Sequence, residues 1–485
     1  MSIEALGAAF GHPDDWECVL QRLCGILVDV FEPKSPFEPP PSYFLDLNQV
    51  GTLDELIADV QRKVVRHAVN PRHPMAMAHM VPPPTTVSVI ADLLIGSLNQ
   101  CAFIWEEAPL AAALERRVIG WIADRVGFGS KRGGMLTSGG TLSNCLATYL
   151  ALAHNQAINQ GRCRGGKYKI IATDQAHFSI EKAAALTGIG RNAVIRVATD
   201  RCGRVRPGSI RQAAAQVLRE GNIPMLVVCT AGTTNTGNIE PAEEFLVAAR
   251  ETAAWCHIDA AHGGSLCLSG SAQSEVDQWR LADSLSWDAH KSLYASYAVG
   301  ILLTATQGAL EPLRFSSDYA MSDGATDDAG SLHLEGSRRL EALKLWMCIK
   351  HLGLGWYQMV TQYTFSLASQ FATRLAECDR FEMVGRPDTN IVCFRALHSR
   401  LDERETDELN RSVQQSLYRA GGPLLSTTRI SGRVVLRAVL LNPRLRAEDL
   451  DCALARISSA VEIEFEAIMT RKAAEGHFHE CSFGH

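Results

Sequence analysis

The amino-acid sequence predicts an α/β protein built on a largely parallel sheet, and two observations carry that expectation. Four short apolar runs, at 169–173, 193–197, 225–229 and 255–259, are separated by segments that include helix-like stretches such as 209–220. Each run is mostly apolar along its length, as strands covered on both faces tend to be. Strands alternating with helices define an α/β layer.

The elements follow in chain order. An apolar helical pattern (Trp16, Val19, Leu20, Leu23, Ile26, Leu27) is ended by the Pro-rich stretch 33–41. A second helix is expected from Thr52 to about His67, with Thr52 as its cap and Glu55 three residues on. A Pro-rich loop leads to the α/β pattern of about 85–310. Beyond about 355 the chain reads as a smaller α+β unit, with candidate strands at 392–394 and 434–437 and a closing helix from Ala447 to about Glu475. The expected organisation is an N-terminal helical segment (1–84), a large domain (85–355) and a small C-terminal domain (356–485).

Composition excludes several function classes. The chain has 485 residues, 46% hydrophobic and 21% charged, an ordinary globular balance. A net charge of -6 argues against nucleic acid as a partner, which calls for a basic face. No apolar run approaches the roughly 20 residues of a membrane span. The N-terminus lacks a basic start and an apolar core, so the cytoplasm is the expected location. Fourteen cysteines without a CxxC pair read as reduced thiols, and His477, His479 and Cys481 as a loose terminus rather than a metal site.

Four segments carry chemistry. Lys291 stands in Ser286-Trp287-Asp288-Ala289-His290-Lys291, downstream of Asp259 in His257-Ile258-Asp259-Ala260-Ala261-His262. An amine that must become a nucleophile and a carboxylate at the carboxyl end of a parallel strand are what pyridoxal-5′-phosphate (PLP) chemistry needs. The lysine forms an imine with the cofactor aldehyde, and the carboxylate keeps the pyridine nitrogen protonated. Strand alternation puts His257, Asp259 and Ala261 on one face. Thr137-Ser138-Gly139-Gly140-Thr141-Leu142-Ser143-Asn144, a Gly-rich turn opening an apolar helix, suits a phosphate. It is not a Walker loop, since no Lys follows the second Gly. His177, in Asp174-Gln175-Ala176-His177-Phe178-Ser179, follows a strand end from which an imidazole can lie flat on an aromatic ring.

Together these segments resemble the group II PLP-dependent amino-acid decarboxylases of fold type I, over about 71–355. Ala231-Gly232-Thr233-Thr234-Asn235-Thr236-Gly237 and Glu335-Gly336-Ser337-Arg338-Arg339 add to the likeness. The resemblance implies a PLP-dependent transferase-like large domain and a homodimer with active sites at the interface, the N-terminal segment helping to dimerise. It implies that Lys291 holds the cofactor, Asp259 pairs with the ring nitrogen, His177 stacks on the ring and Ala261 touches its other face. Gly140, Thr141 and His290 contact the phosphate, Ser138 and Gly139 shape the turn, and Thr230 lies beside the ring. The implied reaction is decarboxylation of an L-amino acid. Asp288-Ala289-His290-Lys291, where many members have Asn-Pro-His-Lys, points to the 2,4-diaminobutyrate and aspartate branch and to a polar substrate.

Three departures qualify the likeness. Asp288 would repel a phosphate dianion unless it points away. His262 stands where many members have Trp or Tyr. A polar loop over about 316–334 suits a lid, yet 327–329, where the family places a proton-donating Tyr, holds none. Tyr319 and His333 are the candidates for that acid. Without such a donor the alternative outcome is an oxidative, aldehyde-forming decarboxylation. Arg72, His73 and His79 are expected near the pocket, and a metal site on His257, Asp259 and His262 is a weaker rival reading.

Overall fold

The computed structural model describes residues 51–105, 107–159, 167–270, 272–315 and 329–481, without the side chains of 159, 329–330 and 475–481. The first apolar helical pattern, the Pro-rich stretch 33–41, most of the lid and Tyr319 lie outside the described residues.

The strands are β1 (Gly133–Thr137), β2 (Tyr168–Thr173), β3 (Val194–Val197), β4 (Ile223–Thr230), β5 (Trp255–Asp259), β6 (Ser284–Asp288), β7 (Gly300–Thr304), β8 (Phe381–Met383), β9 (Ile391–Ala396), β10 (Ser426–Ile430) and β11 (Arg433–Val439). The first seven form one sheet in the order β1-β7-β6-β5-β4-β2-β3, and the last four a second in the order β10-β11-β9-β8. The four apolar runs seen in the sequence are β2 to β5. They pair in parallel with one another and with β6, while β7 runs antiparallel to both β1 and β6. Strands β4 to β7 are buried almost throughout, and the apolar runs of β4 and β7 reflect that burial.

Two helix-and-core layers cover the large sheet. On one side Phe245, Leu246, Trp279, Ile122 and Val217 pack against Val227, Ile258 and Leu285. On the other, Leu146, Ala147, Leu150 and Ala151 of the helix Gly140–Asn159 pack against Ile170, Val228 and Leu302. At full burial each such aliphatic side chain contributes about 1.5–3 kcal/mol, so these layers hold the strand ends in place.

The described chain divides into two compact units. The larger holds 80–395 and 428–443, and the other 51–79, 396–427 and 444–481. In the second unit Thr52 caps the helix Leu53–Lys63 through the expected capping box with Glu55, and Asp402 and Glu405 form another at the helix Glu403–Arg419. A long helix, Ala447–Cys481, closes the chain. No described helix is long and apolar enough to cross a membrane.

Candidate active site

Register brings the chemistry together. Thr230 at the end of β4 faces Asp259 at the end of β5, and Asp259 faces Ser286 in β6. These carboxyl ends open into a cavity of about 1210 Å³. Its lining includes Ser138, Gly139, Gly140, Thr141, His177, Thr230, Asp259, Ala261, His290, Lys291 and His333. The lining residues belong to the larger unit. Arg72, His73 and His79 are not among them, and the His73 ring instead accepts the Met75 N–H at 3.1 Å.

Asp259 is buried and fully engaged. Its Oδ2 accepts from Asn144 Nδ2 at 2.8 Å, and its Oδ1 accepts from the Ala261 N–H at 3.1 Å, with Ser286 Oγ at 3.2 Å. Donors from Asn144 and Ala261 hold both oxygens in place. His177 Nδ1 lies 2.9 Å from Ser179 Oγ, and burial lowers the His177 imidazole below its usual range.

The glycine turn meets the lysine segment. A Cβ at Gly140 would lie 3.0 Å from Asp288 Oδ2 and 3.1 Å from the Ala261 side chain, so only glycine leaves this space open. Gly139 takes a φ of +139°, and a Cβ there would lie 3.5 Å from His290 Cε1. Asp288 does not point away from this turn. Its Oδ2 sits 2.9 Å from Lys291 Nζ and 3.6 Å from His290 Nε2. Its Oδ1 is buried and unpartnered, as is Thr230 Oγ1.

His262 is held rather than free. Its Nε2 lies 2.9 Å from Asn390 Oδ1, and burial, reinforced by the Lys291 charge, pushes its pKa down to about 3. His333 Nε2 lies 3.1 Å from Glu115 Oε1, so the proton it would give faces a buried carboxylate. Arg338 of the Glu-Gly-Ser-Arg-Arg segment binds the same carboxylate at 2.9 Å. Among the described residues no group of three His, Cys, Asp or Glu side chains is placed to hold a metal ion.

Sequence reading missed Asn144 and Glu115. Asn144 was visible as the residue after Ser143 in the glycine segment, but its partners lie 35 to 142 positions away. Glu115 carried no local signal, since Arg338 is 223 positions distant.

The residues fit PLP. The glycine turn leaves open a space that a Cβ would fill, and the buried Thr230 Oγ1 on the cavity wall has no partner. A lysine amine and a strand-end carboxylate supply the donor set. Fold and site thus define a PLP-dependent enzyme of the doubly covered, mostly parallel α/β class. Residues 45–397 match the model of the pyridoxal-dependent decarboxylase conserved domain, and the chain belongs to that family. It is a PLP-dependent amino-acid decarboxylase. It is 32% identical over 403 residues to the L-2,4-diaminobutyrate decarboxylase of Rhizobium meliloti (strain 1021), covering 82% of this chain and 80% of the relative. Identity to the enzyme of the same name from Acinetobacter baumannii is 29% over 415 residues, 82% of this chain and 81% of that one. A solved glutamate decarboxylase domain, that of the diaminobutyrate-pyruvate transaminase and L-2,4-diaminobutyrate decarboxylase from Vibrio parahaemolyticus, superposes with a TM-score of 0.81. The two are 28% identical, over 92% of this chain and 95% of that one.

Proposed function

We propose that this enzyme removes the α-carboxyl group of L-2,4-diaminobutyrate or a similarly small polar amino acid, and that Lys291, Asp259 and His177 are its central groups. The observation that carries the assignment of residues is their convergence, with the glycine turn, on one cavity at the ends of β4, β5 and β6. The substrate reading rests on the two diaminobutyrate decarboxylases above. Bound in this cavity, PLP supplies an electron sink for the pair left on the α-carbon when CO₂ departs.

The chain's own groups have distinct tasks. Lys291 Nζ would hold the cofactor covalently and give way to the substrate amine. Asp288, at 2.9 Å, holds that amine as its counter-ion until then. Asp259 would keep a charged carboxylate for the ring nitrogen. His177 and Ala261 would bound the two ring faces, and Thr230 its edge. Gly140, Thr141 and His290 would hold the phosphate, with Ser138 and Gly139 shaping the turn. Phe103, Leu186 and Phe315 line the same cavity. A proton returns to the α-carbon from Lys291 Nζ, with His333 and Tyr319 as the loop candidates.

The working form in this reading is a cytoplasmic homodimer with active sites at the interface. Ile90, Leu93, Leu94 and Leu98 support the dimer: all are 43–53% exposed on the helix Thr86–Leu98. The ten described cysteines carry free thiols, which suits a reducing compartment.

The test is an absorbance spectrum of protein purified with PLP, then CO₂ release across a panel of amino acids. A band near roughly 420 nm that Lys291→Ala abolishes is the expected result. CO₂ should be released fastest from 2,4-diaminobutyrate. An unchanged band in Lys291→Ala overturns the lysine assignment. Release of CO₂ from aromatic amino acids alone overturns the substrate, and stoichiometric H₂O₂ and ammonia would replace simple decarboxylation by the oxidative reaction.

A further inference from the structure

Asn144 occupies an unusual position among the buried groups of the site. It is 1% exposed, and its side-chain amide makes four hydrogen bonds, to four different residues. Nδ2 donates to Asp259 Oδ2 at 2.8 Å and to Ser179 Oγ at 2.9 Å. Oδ1 accepts from Ser286 Oγ at 2.9 Å and from His257 Nε2 at 3.0 Å. This is the full complement that one amide can make.

The direction of each bond follows from one fact. A carboxylate only accepts, so Asp259 forces the NH₂ end of Asn144 toward itself and the oxygen toward His257. His257 must then carry its proton on Nε2, which leaves Nδ1 to accept from Ser284 Oγ at 2.8 Å. Ser284 Oγ in turn accepts from Trp255 Nε1 at 2.8 Å. On the other arm Ser179 Oγ accepts from Asn144, so its own proton is free for His177 Nδ1, 2.9 Å away. The Ser179 backbone N–H also donates to His177 Nδ1 at 3.3 Å, which leaves the His177 proton on Nε2. All of Asn144, Ser179, His257, Ser284 and Ser286 are buried, so water offers no alternative partner.

We infer that Asn144 is a positioning residue that sets the proton position of His257 and holds Asp259 as a carboxylate aligned for the cofactor ring. The inference rests on the PLP site proposed above and deepens it: the electron-sink strength of the ring is governed through the carboxylate by a residue that binds its far oxygen. Burial agrees with the assignment, pushing His257 down to about 4 and His177 below its usual value, so that both rings are neutral. Loss of Asn144 would remove a charge-assisted donor from Asp259 and leave buried acceptors unmatched.

The experiment uses full-length protein and two variants. Asn144→Leu removes all four bonds at similar volume, and Asn144→Asp keeps the shape but places an acceptor against Asp259. Cofactor-free protein labelled with ¹⁵N-histidine reports the tautomers, with the His177 and His257 signals assigned by loss in His177→Gln and His257→Gln. Protein loaded with PLP labelled at the ring nitrogen reports protonation of that nitrogen, and equilibrium dialysis gives PLP affinity. The wild type should show both histidines as Nε2–H tautomers and a protonated ring nitrogen. Both variants should lose the fixed His257 tautomer, keep that of His177, and move the ring nitrogen toward its unprotonated shift. PLP binding should weaken by about tenfold, the effect of losing about 1.4 kcal/mol. If either variant folds and keeps the wild-type His257 tautomer and ring-nitrogen shift, the inference is wrong while the PLP site stands. If the wild type binds no PLP, the reading of the site falls, and this inference with it.

Discussion

Replacing Glu115 by Gln tests the ion cluster that borders the cavity. Glu115 Oε1 accepts from the Leu136 N–H at 2.8 Å and lies 3.1 Å from His333 Nε2, while Oε2 is 2.9 Å from Arg338. Burial alone would raise this carboxyl, but the facing charges of Arg338 and His333 outweigh it and bring it from 4.5 down to about 2. At about 1.4 kcal/mol for each pH unit, that difference is worth about 3 kcal/mol of stability. The sign follows from a pKa depressed by folding: the contribution is complete above 4.5 and is lost as pH falls through about 2. By pH 3 about 2 kcal/mol of it is gone. Glu115→Gln strands the buried Arg338 guanidinium, and the roughly 3–5 kcal/mol typical of breaking a buried pair is this same loss seen from the other partner. Urea unfolding followed by tryptophan fluorescence at pH 7, 5 and 3 measures the loss and its pH dependence. The variant should be less stable by about 3 kcal/mol at pH 7, and the gap should close by about 2 kcal/mol at pH 3. A gap that stays constant between pH 7 and pH 3 would refute a charged Glu115 paired with Arg338.

Three further outcomes follow. Glu240, buried behind β4, accepts from Thr173 Oγ1 and the Thr230 N–H, yet burial dominates and raises it from 4.5 to about 7. A carboxyl raised by folding makes stability fall as pH rises from 4.5 through about 7. Wild type should therefore lose about 3 kcal/mol relative to Glu240→Gln between pH 4.5 and pH 8, read by the same denaturation series. Gly140→Ala puts a methyl 3.0 Å from Asp288 Oδ2 and 3.1 Å from Ala261. PLP affinity measured by dialysis should drop at least about tenfold, with overpacking costing about 1–3 kcal/mol of stability. Asp402→Ala removes a helix cap far along the chain from the site residues. It should cost about 1 kcal/mol in urea and leave PLP binding as in wild type.

Strands β2 to β5 were legible because each carries a short, mostly apolar run, longest in the buried β4. Strand β1 was not, because it opens with Gly133 and Gly134, and glycine weakens a strand signal. The structure explains their presence. A Cβ at Gly134 would lie 2.8 Å from the Leu302 carbonyl, and one at Gly133 2.6 Å from Thr304 Oγ1, so β7 can approach only a strand without side chains there. The antiparallel direction of β7 was invisible for a different reason. A fully buried strand reads alike in either direction, and only its pairing with β1 and β6 reveals it. Strand β10 escaped notice because it alternates between half-buried and exposed residues and has little apolar content.

The site divides along the same line. Ser138 to Thr141, His177, Asp259 and His290-Lys291 were readable because each belongs to a contiguous segment whose local turn creates the chemistry. What sequence could not supply was direction and pairing. Asp288 looked like a misfit beside a phosphate, a conclusion drawn from charge alone. Its contact with Lys291, 2.9 Å away and three residues on, turns it into the counter-ion of the nucleophile. Asn144 looked like the first turn of a helix, and only the fold brings Ser179, His257, Asp259 and Ser286 around it. A residue whose partners come from four segments leaves no periodicity or spacing to detect, and its polarity is fixed only when the one strict acceptor among them, Asp259, is known to be there. Proton placement in this site is thus a property of tertiary structure, whereas the groups proposed to hold the cofactor each lie in a contiguous stretch of sequence.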